Sequence, residues 1–105
     1  MKAIILCSWG ATSSSLAKAV SDEAKKRNLD ITVDAGGTGE FKKKAQNYSV
    51  ALLEPQVRHL KKEVETAASK YDIPVEIVNM QAFAMLDGSK VLDQIIDLAK
   101  KAGKM

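Results

Sequence analysis

Cys7-Ser8-Trp9-Gly10-Ala11-Thr12-Ser13-Ser14 joins one thiol to a run of small and hydroxyl-bearing residues. Gly10 and Ala11 let a backbone curl closely around a ligand. Thr12, Ser13, Ser14 and Ser15 place four hydroxyls in succession where they can also cap a following helix. The first N–H groups of a helix have no internal partner and lie at the positive end of its dipole. Such an end binds anions, phosphate above all. The same field stabilises a thiolate. A thiolate on the rim of an anion cradle is a nucleophile for a phosphoryl group, whose transfer is mostly positioning and charge stabilisation. Position alone leaves a second reading open, with Cys7 as a small buried hydrophobe that closes a strand. The hydroxyl run favours the chemical reading, because a purely structural strand-to-helix turn of about two to six residues does not need it.

The elements that position this stretch are legible from periodicity. Ala3-Ile4-Ile5-Leu6 is a continuous apolar run, as in a strand covered on both faces. Leu16, Ala17, Val20 and Ala24 recur at helical spacing, with Asn28 as the stop. Ile31-Thr32-Val33 predicts a second strand, ended by Gly36-Gly37-Thr38-Gly39, and residues 40–46 are helix-permissive. Val50-Ala51-Leu52-Leu53 predicts a third strand stopped by Pro55. Val57, Leu60, Val64, Ala67 and Tyr71 form one stripe of a helix of about four turns. Val75-Glu76-Ile77-Val78 predicts a fourth strand, and Val91, Leu92, Ile95, Ile96 and Ala99 a closing helix stopped by Gly103. Strands alternating with helices, without hairpin signals, imply an α/β fold: a four-stranded parallel sheet flanked by helices, doubly wound and flavodoxin-like. Its ligand crevice lies at the carboxyl ends of the strands, so the residues following each strand are the ones to inspect.

Composition narrows the function. The 105 residues make one domain, 1–105. A net charge of +3 and 5% aromatic residues argue against nucleic acid as a partner. A single cysteine excludes an internal disulfide, a CxxC pair and a multi-thiolate metal site, which suits a reducing, cytoplasmic setting. No apolar run approaches the roughly 20 residues that span a bilayer, and Met1-Lys2 leads straight into the first strand without a signal-peptide pattern. The expectation is a monomer that uses no metal and no cofactor.

The residues from Cys7 to Ser14 resemble the phosphocysteine loop of the lactose/cellobiose-type IIB components of the sugar phosphotransferase system (PTS). The likeness continues at Leu52-Leu53-Glu54-Pro55-Gln56-Val57, at Ile77-Val78-Asn79 and at Asp87-Gly88, in order along nearly the whole chain. The resemblance implies a relay. A phosphohistidine on a IIA partner passes its phosphoryl group to Cys7. Phospho-Cys7 then passes it to a sugar, a β-disaccharide such as cellobiose, chitobiose or lactose, carried by the membrane IIC permease. It also implies that Ser8, Trp9, Gly10, Ala11, Thr12, Ser13 and Ser14 hold the phosphate. Three positions depart from the family: Ala11 where Met is frequent, Glu54 where Gly is, and Phe83-Ala84 where Tyr-Gly is. A carboxylate at Glu54 facing Cys7 would repel a phosphate dianion. Two successive partners also require the Cys7 sulfur to be exposed on a convex loop.

The rival chemistry is that of a low-molecular-weight tyrosine phosphatase or arsenate reductase, which shares this fold and a cysteine phosphate loop. Such enzymes place Arg six residues after the cysteine to clamp the phosphate. Ser13 stands there in this chain. A passive phosphate- or nucleotide-binding module is the non-enzymatic alternative, but the Gly36–Gly39 turn lacks the helix–Lys pattern of a P-loop and reads as a flexible connection. His59 among Arg58, Lys61 and Lys62 reads as a solvated side chain, as do Lys18 and Lys42-Lys43-Lys44. Trp9 suits either packing over the helix end or docking a partner. Met80 and Met85 read as gap-fillers near the fourth strand.

Overall fold

A computed structural model of the chain describes residues 1–7 and 13–105. Four strands, β1 (Lys2–Cys7), β2 (Thr32–Gly37), β3 (Val50–Leu53) and β4 (Val75–Ile77), form one sheet in the order β2-β1-β3-β4. Every pairing is parallel, with Ile5 opposite Ala35 on one side and Leu52 on the other. Helices α1 (Ser13–Lys26), α2 (Thr38–Lys44), α3 (Lys61–Ser69), α4 (Met80–Ala84) and α5 (Gly88–Lys101) connect and cover the strands.

Strand alternation sorts the apolar side chains into two cores. Ala3, Ile5, Val50 and Leu52 pack with Leu16, Val20 and Ala24 of α1 and Val91, Leu92 and Ile95 of α5. Ile4, Leu6, Ala51 and Leu53 point the other way, onto Phe41 of α2 and Val64 and Ala68 of α3. Both faces are therefore buried, which accounts for unbroken apolar runs in β1 and β3. The architecture is the doubly wound, flavodoxin-like one. Its winding reverses between β1 and β3, so the topological switch point lies where those two strands end.

Several elements differ from their periodicity. The second strand runs on through Gly36 and Gly37, and α2 starts at Thr38 without a break, so the glycine run is ladder and helix cap rather than a flexible connection. An added Cβ at Gly36 would lie 3.2 Å from Ile4 Cδ1, the end of a side chain that would have to shift slightly. The third helical stretch opens as a 3-10 turn, Pro55–Leu60, with non-helical backbone at Val57, and becomes α-helical only at Lys61. Tyr71 falls beyond it and is exposed. Helix α4 has no counterpart in the apolar pattern because it is too short to show a period. It buries Ala82, leaving Met80 and Met85 65% and 68% exposed instead of filling gaps. Asn28 and Gly103, the stops read from the sequence, both have positive φ (56° and 73°), as left-handed helix ends require.

The first core depends on a close approach of α1 and α5. A Cβ added at Gly88 would lie 2.5 Å from the Ala19 carbonyl oxygen, which is backbone and cannot yield cheaply. Beside it Arg27 Nη1 donates to Asp93 Oδ1 at 2.7 Å and Nη2 to Ser89 Oγ at 2.6 Å, clipping the end of α1 to α5. Gly88→Ala should therefore cost about 1–3 kcal/mol in denaturant unfolding; an unchanged midpoint would show that the helices can part freely. On the outer side of β1, the Tyr48 hydroxyl donates to Asp34 Oδ2 at 2.9 Å. Burial, and then the Asp34 carboxylate, push the Tyr48 pKa up to about 12. Its neutral form is the one the fold favours. The contribution is complete below the ordinary phenol pKa of about 10 and is lost as pH rises toward about 12. Denaturant melts across that window should fall more steeply for the wild type than for Tyr48→Phe; parallel curves would contradict the coupling.

Candidate functional site

Cys7 is the last residue of β1 and pairs with Gly37, the last residue of β2. On its other side the ladder with β3 ends at Leu6 opposite Leu53, and the Glu54 N–H donates to the Leu6 carbonyl at 2.9 Å. Cys7 and Glu54 are thus the next residues on two neighbouring parallel strands, at the switch point. Ala3 and Ile5 share a face with Val50 and Leu52, and continuing the alternation by one step places Cys7 and Glu54 on that same α1/α5 face. Helix α1 starts at Ser13 at this end of the sheet, with Leu16 fully buried in its second turn. A helix that follows a parallel strand runs back along the sheet, so the positive end of α1 belongs on the carboxyl side of β1.

Burial separates these residues from their surroundings. Cys7 is 3% exposed. The expectation of a sulfur displayed on a convex surface therefore fails, because the residue ends an interior strand with β2 and β3 on either side. Glu54 is completely buried and is the one charged side chain so placed among the described residues. Its Oε1 accepts from Gln56 Nε2 at 2.7 Å, and its carbonyl accepts from the Val57 N–H at 3.0 Å. Pro55 between them opens the 3-10 turn and directs the chain away from the sheet. The next strand reaches the same edge: the Val78 N–H donates to the Leu53 carbonyl at 2.8 Å, and Asn79 Oδ1 caps α4 through the Ala82 N–H.

Of the residues read as phosphate ligands, Ser8, Trp9, Gly10, Ala11 and Thr12 lie outside the described residues. Ser13 opens α1, and Ser14 is exposed in its first turn. His59 and Lys18 are exposed, the latter paired with Asp22. Lys42, Lys43 and Lys44 are exposed as well, with Lys42 reaching Glu63. Among the described residues no group of three His, Cys, Asp or Glu could hold a metal ion, and no helix is long and apolar enough to cross a membrane. A polar groove of about 610 Å³ runs between β4 and α5. Its walls are already joined by Gln94, which donates to Glu76 Oε1 and the Ile77 carbonyl. The fold thus gathers a thiol, a buried carboxyl, its amide partner and a long helix's N-terminus at one strand end, parts suited to covalent handling of an anion. The sequence singled out Glu54 as a departure but not Gln56 as its partner. The signal available was a charged residue between a buried strand and Pro55.

Comparison with known proteins bears on the same residues. The family model described as PTS system, Lactose/Cellobiose specific IIB subunit matches residues 2–94. The oligo-beta-mannoside-specific EIIB component of the PTS of Bacillus subtilis is 32% identical over 99 residues, covering 93% of this chain and 96% of that protein. The cellobiose-specific EIIB component of Lactococcus lactis is 34% identical over 98 residues, covering 84% of this chain and 86% of its own. Among solved structures, the cellobiose-specific IIB component of Borrelia burgdorferi superposes with a TM-score of 0.80 at 28% identity, covering 97% of this chain and 94% of its own. The lactose-specific IIB domain of Streptococcus pneumoniae gives 0.84 at 24% identity, over 93% and 96%, a likeness of fold.

Proposed function

The chain belongs to the lactose/cellobiose-specific IIB family of the PTS, a phosphotransferase component of sugar uptake, and we propose that it works as a cytoplasmic phosphocarrier with Cys7 as the transiently phosphorylated residue. The observation that carries this reading is the position of the chain's sole cysteine. It ends β1 at the switch point, immediately ahead of the stretch that leads into the N-terminus of a fourteen-residue helix.

In the proposed reaction a phosphohistidine of a IIA protein presents its phosphoryl group in line with the Cys7 sulfur. The S–P bond forms as the N–P bond breaks, and the N–P electron pair stays with the imidazole. Ser8 through Ser14 supply backbone N–H groups and hydroxyls to the phosphate oxygens, and the positive end of α1 offsets the dianion. No arginine occurs in that stretch. A guanidinium clamp of the kind that promotes hydrolysis is therefore missing, which suits a carrier that must keep its phosphoryl group until a second acceptor arrives. That acceptor is a sugar held by the membrane IIC permease, a β-disaccharide such as cellobiose, chitobiose or lactose. Relatives named for oligo-β-mannoside, cellobiose and galactose stand at comparable identities, 32–34%. This is the pattern expected where the permease rather than this domain reads the sugar. Both encounters are transient, and the carrier acts as a monomer.

Incubation with a phosphorylated IIA protein should add one phosphoryl mass to the wild type and none to Cys7→Ser. The adduct should be lost under conditions that spare phosphoserine. Equal labelling of Cys7→Ser would move the site elsewhere, and rapid hydrolysis of an aryl phosphate by the chain alone would favour the phosphatase chemistry.

A further inference from the structure

Glu54 is a fully buried carboxyl that the relay through Cys7 does not use. It follows directly on β3 as Cys7 ends β1; the two strands are tied at that level by the bond from the Glu54 N–H to the Leu6 carbonyl, 2.9 Å. Alternation places both side chains on the α1/α5 face. A thiol and a carboxyl that close neighbouring strands out of water do not both ionise at low cost. Several charged groups on the flanking elements have partners of their own. Glu76 of β4 accepts from Gln94, Asp87 caps α5, Lys18 of α1 pairs with Asp22, and Arg58 donates to the Pro55 carbonyl. The Glu54 carboxyl itself accepts at Oε1 from the neutral amide of Gln56. That donor suits either protonation state of the carboxyl.

We propose that Glu54 receives the proton of the Cys7 thiol when the phosphoryl group arrives, and remains a neutral carboxylic acid while the phosphate is in place. This rests on the phosphocysteine reading. The step balances. The donor ring, protonated on its other nitrogen, leaves as neutral imidazole with the electron pair of the broken N–P bond. Sulfur forms the S–P bond, and its proton passes to the Glu54 carboxylate. The total charge of reacting groups is unchanged, and no carboxylate is left facing the dianion. The same carboxyl that would repel a phosphate when ionised thus becomes, once protonated, a hydrogen-bond donor beside it.

The test uses the full chain, a phosphorylated IIA protein as donor, and the wild type, Glu54→Gln and Cys7→Ser. With glutamate carboxyl carbons labelled, ¹³C NMR of the phosphorylated wild type at neutral pH should show one protonated carboxyl, absent from Glu54→Gln. Phosphoryl loading of Glu54→Gln should be about 10²-fold slower, the scale of a lost proton acceptor, with its far-UV spectrum unchanged. Loading that is equal or faster in Glu54→Gln is the outcome for a carboxylate that merely repels phosphate and overturns the proposal. So does an ionised Glu54 in the phosphorylated wild type, a readout that stands even if the variant fails to fold. Wild type that never accepts a phosphoryl group on Cys7 defeats the relay itself, whereas a loaded wild type with unprotonated Glu54 defeats only this inference.

Discussion

The structure turns on the reversal of winding between β1 and β3. Two parallel strands buried on both faces stop at the same level, where the ladder between them closes at Leu6 and Leu53. At that level one strand contributes a thiol and the other a carboxyl, with Gly37 on the far side of Cys7 and α1 beginning at Ser13. Both groups take their place from the sheet. Cys7 is held by its ladder with Gly37, and Glu54 by the bond from its N–H to the Leu6 carbonyl.

The helices on the α1/α5 side follow from the same constraint. Helix α1 lies over β2 and β1, and α5 packs tightly against α1 to cover the rest of the face. The contact of Gly88 with the Ala19 carbonyl and the clip made by Arg27 with Ser89 and Asp93 hold that layer together. On the opposite face Phe41, Val64 and Ala68 complete a second core that buries the alternate residues of the same strands. Neighbouring residues of one strand thus take different places: Leu6 looks into the second core, and Cys7 ends the strand at the switch point.

Most of the fold was legible in the sequence because burial on both sheet faces writes β1 and β3 as unbroken apolar runs, and helices α1 and α5 carry a full apolar stripe. Cys7 stood out because small and hydroxyl-bearing residues succeed it. Shorter elements left no such trace. Helix α4 has one buried residue, Ala82, so its exposed methionines looked like core; the extension of β2 through two glycines looked like a turn because glycine carries no side chain to show a pattern. The burial of Cys7 was not legible, since the carrier reading asked for access, whereas the residue closes the ladder of an interior strand against Gly37. Glu54 was visible as an anomaly, but its placement beside Cys7 requires the register between two strands more than forty residues apart in sequence, which no local pattern encodes.

Whether Cys7 carries the phosphoryl group is decided best by ³¹P NMR of the chain after loading from a phosphorylated IIA protein. One new resonance with the shift of a sulfur-bound phosphate is expected, absent from a chain whose thiol has been alkylated beforehand. A resonance with the shift of a phosphate ester or a phosphoramidate, or one that survives alkylation, would contradict that assignment.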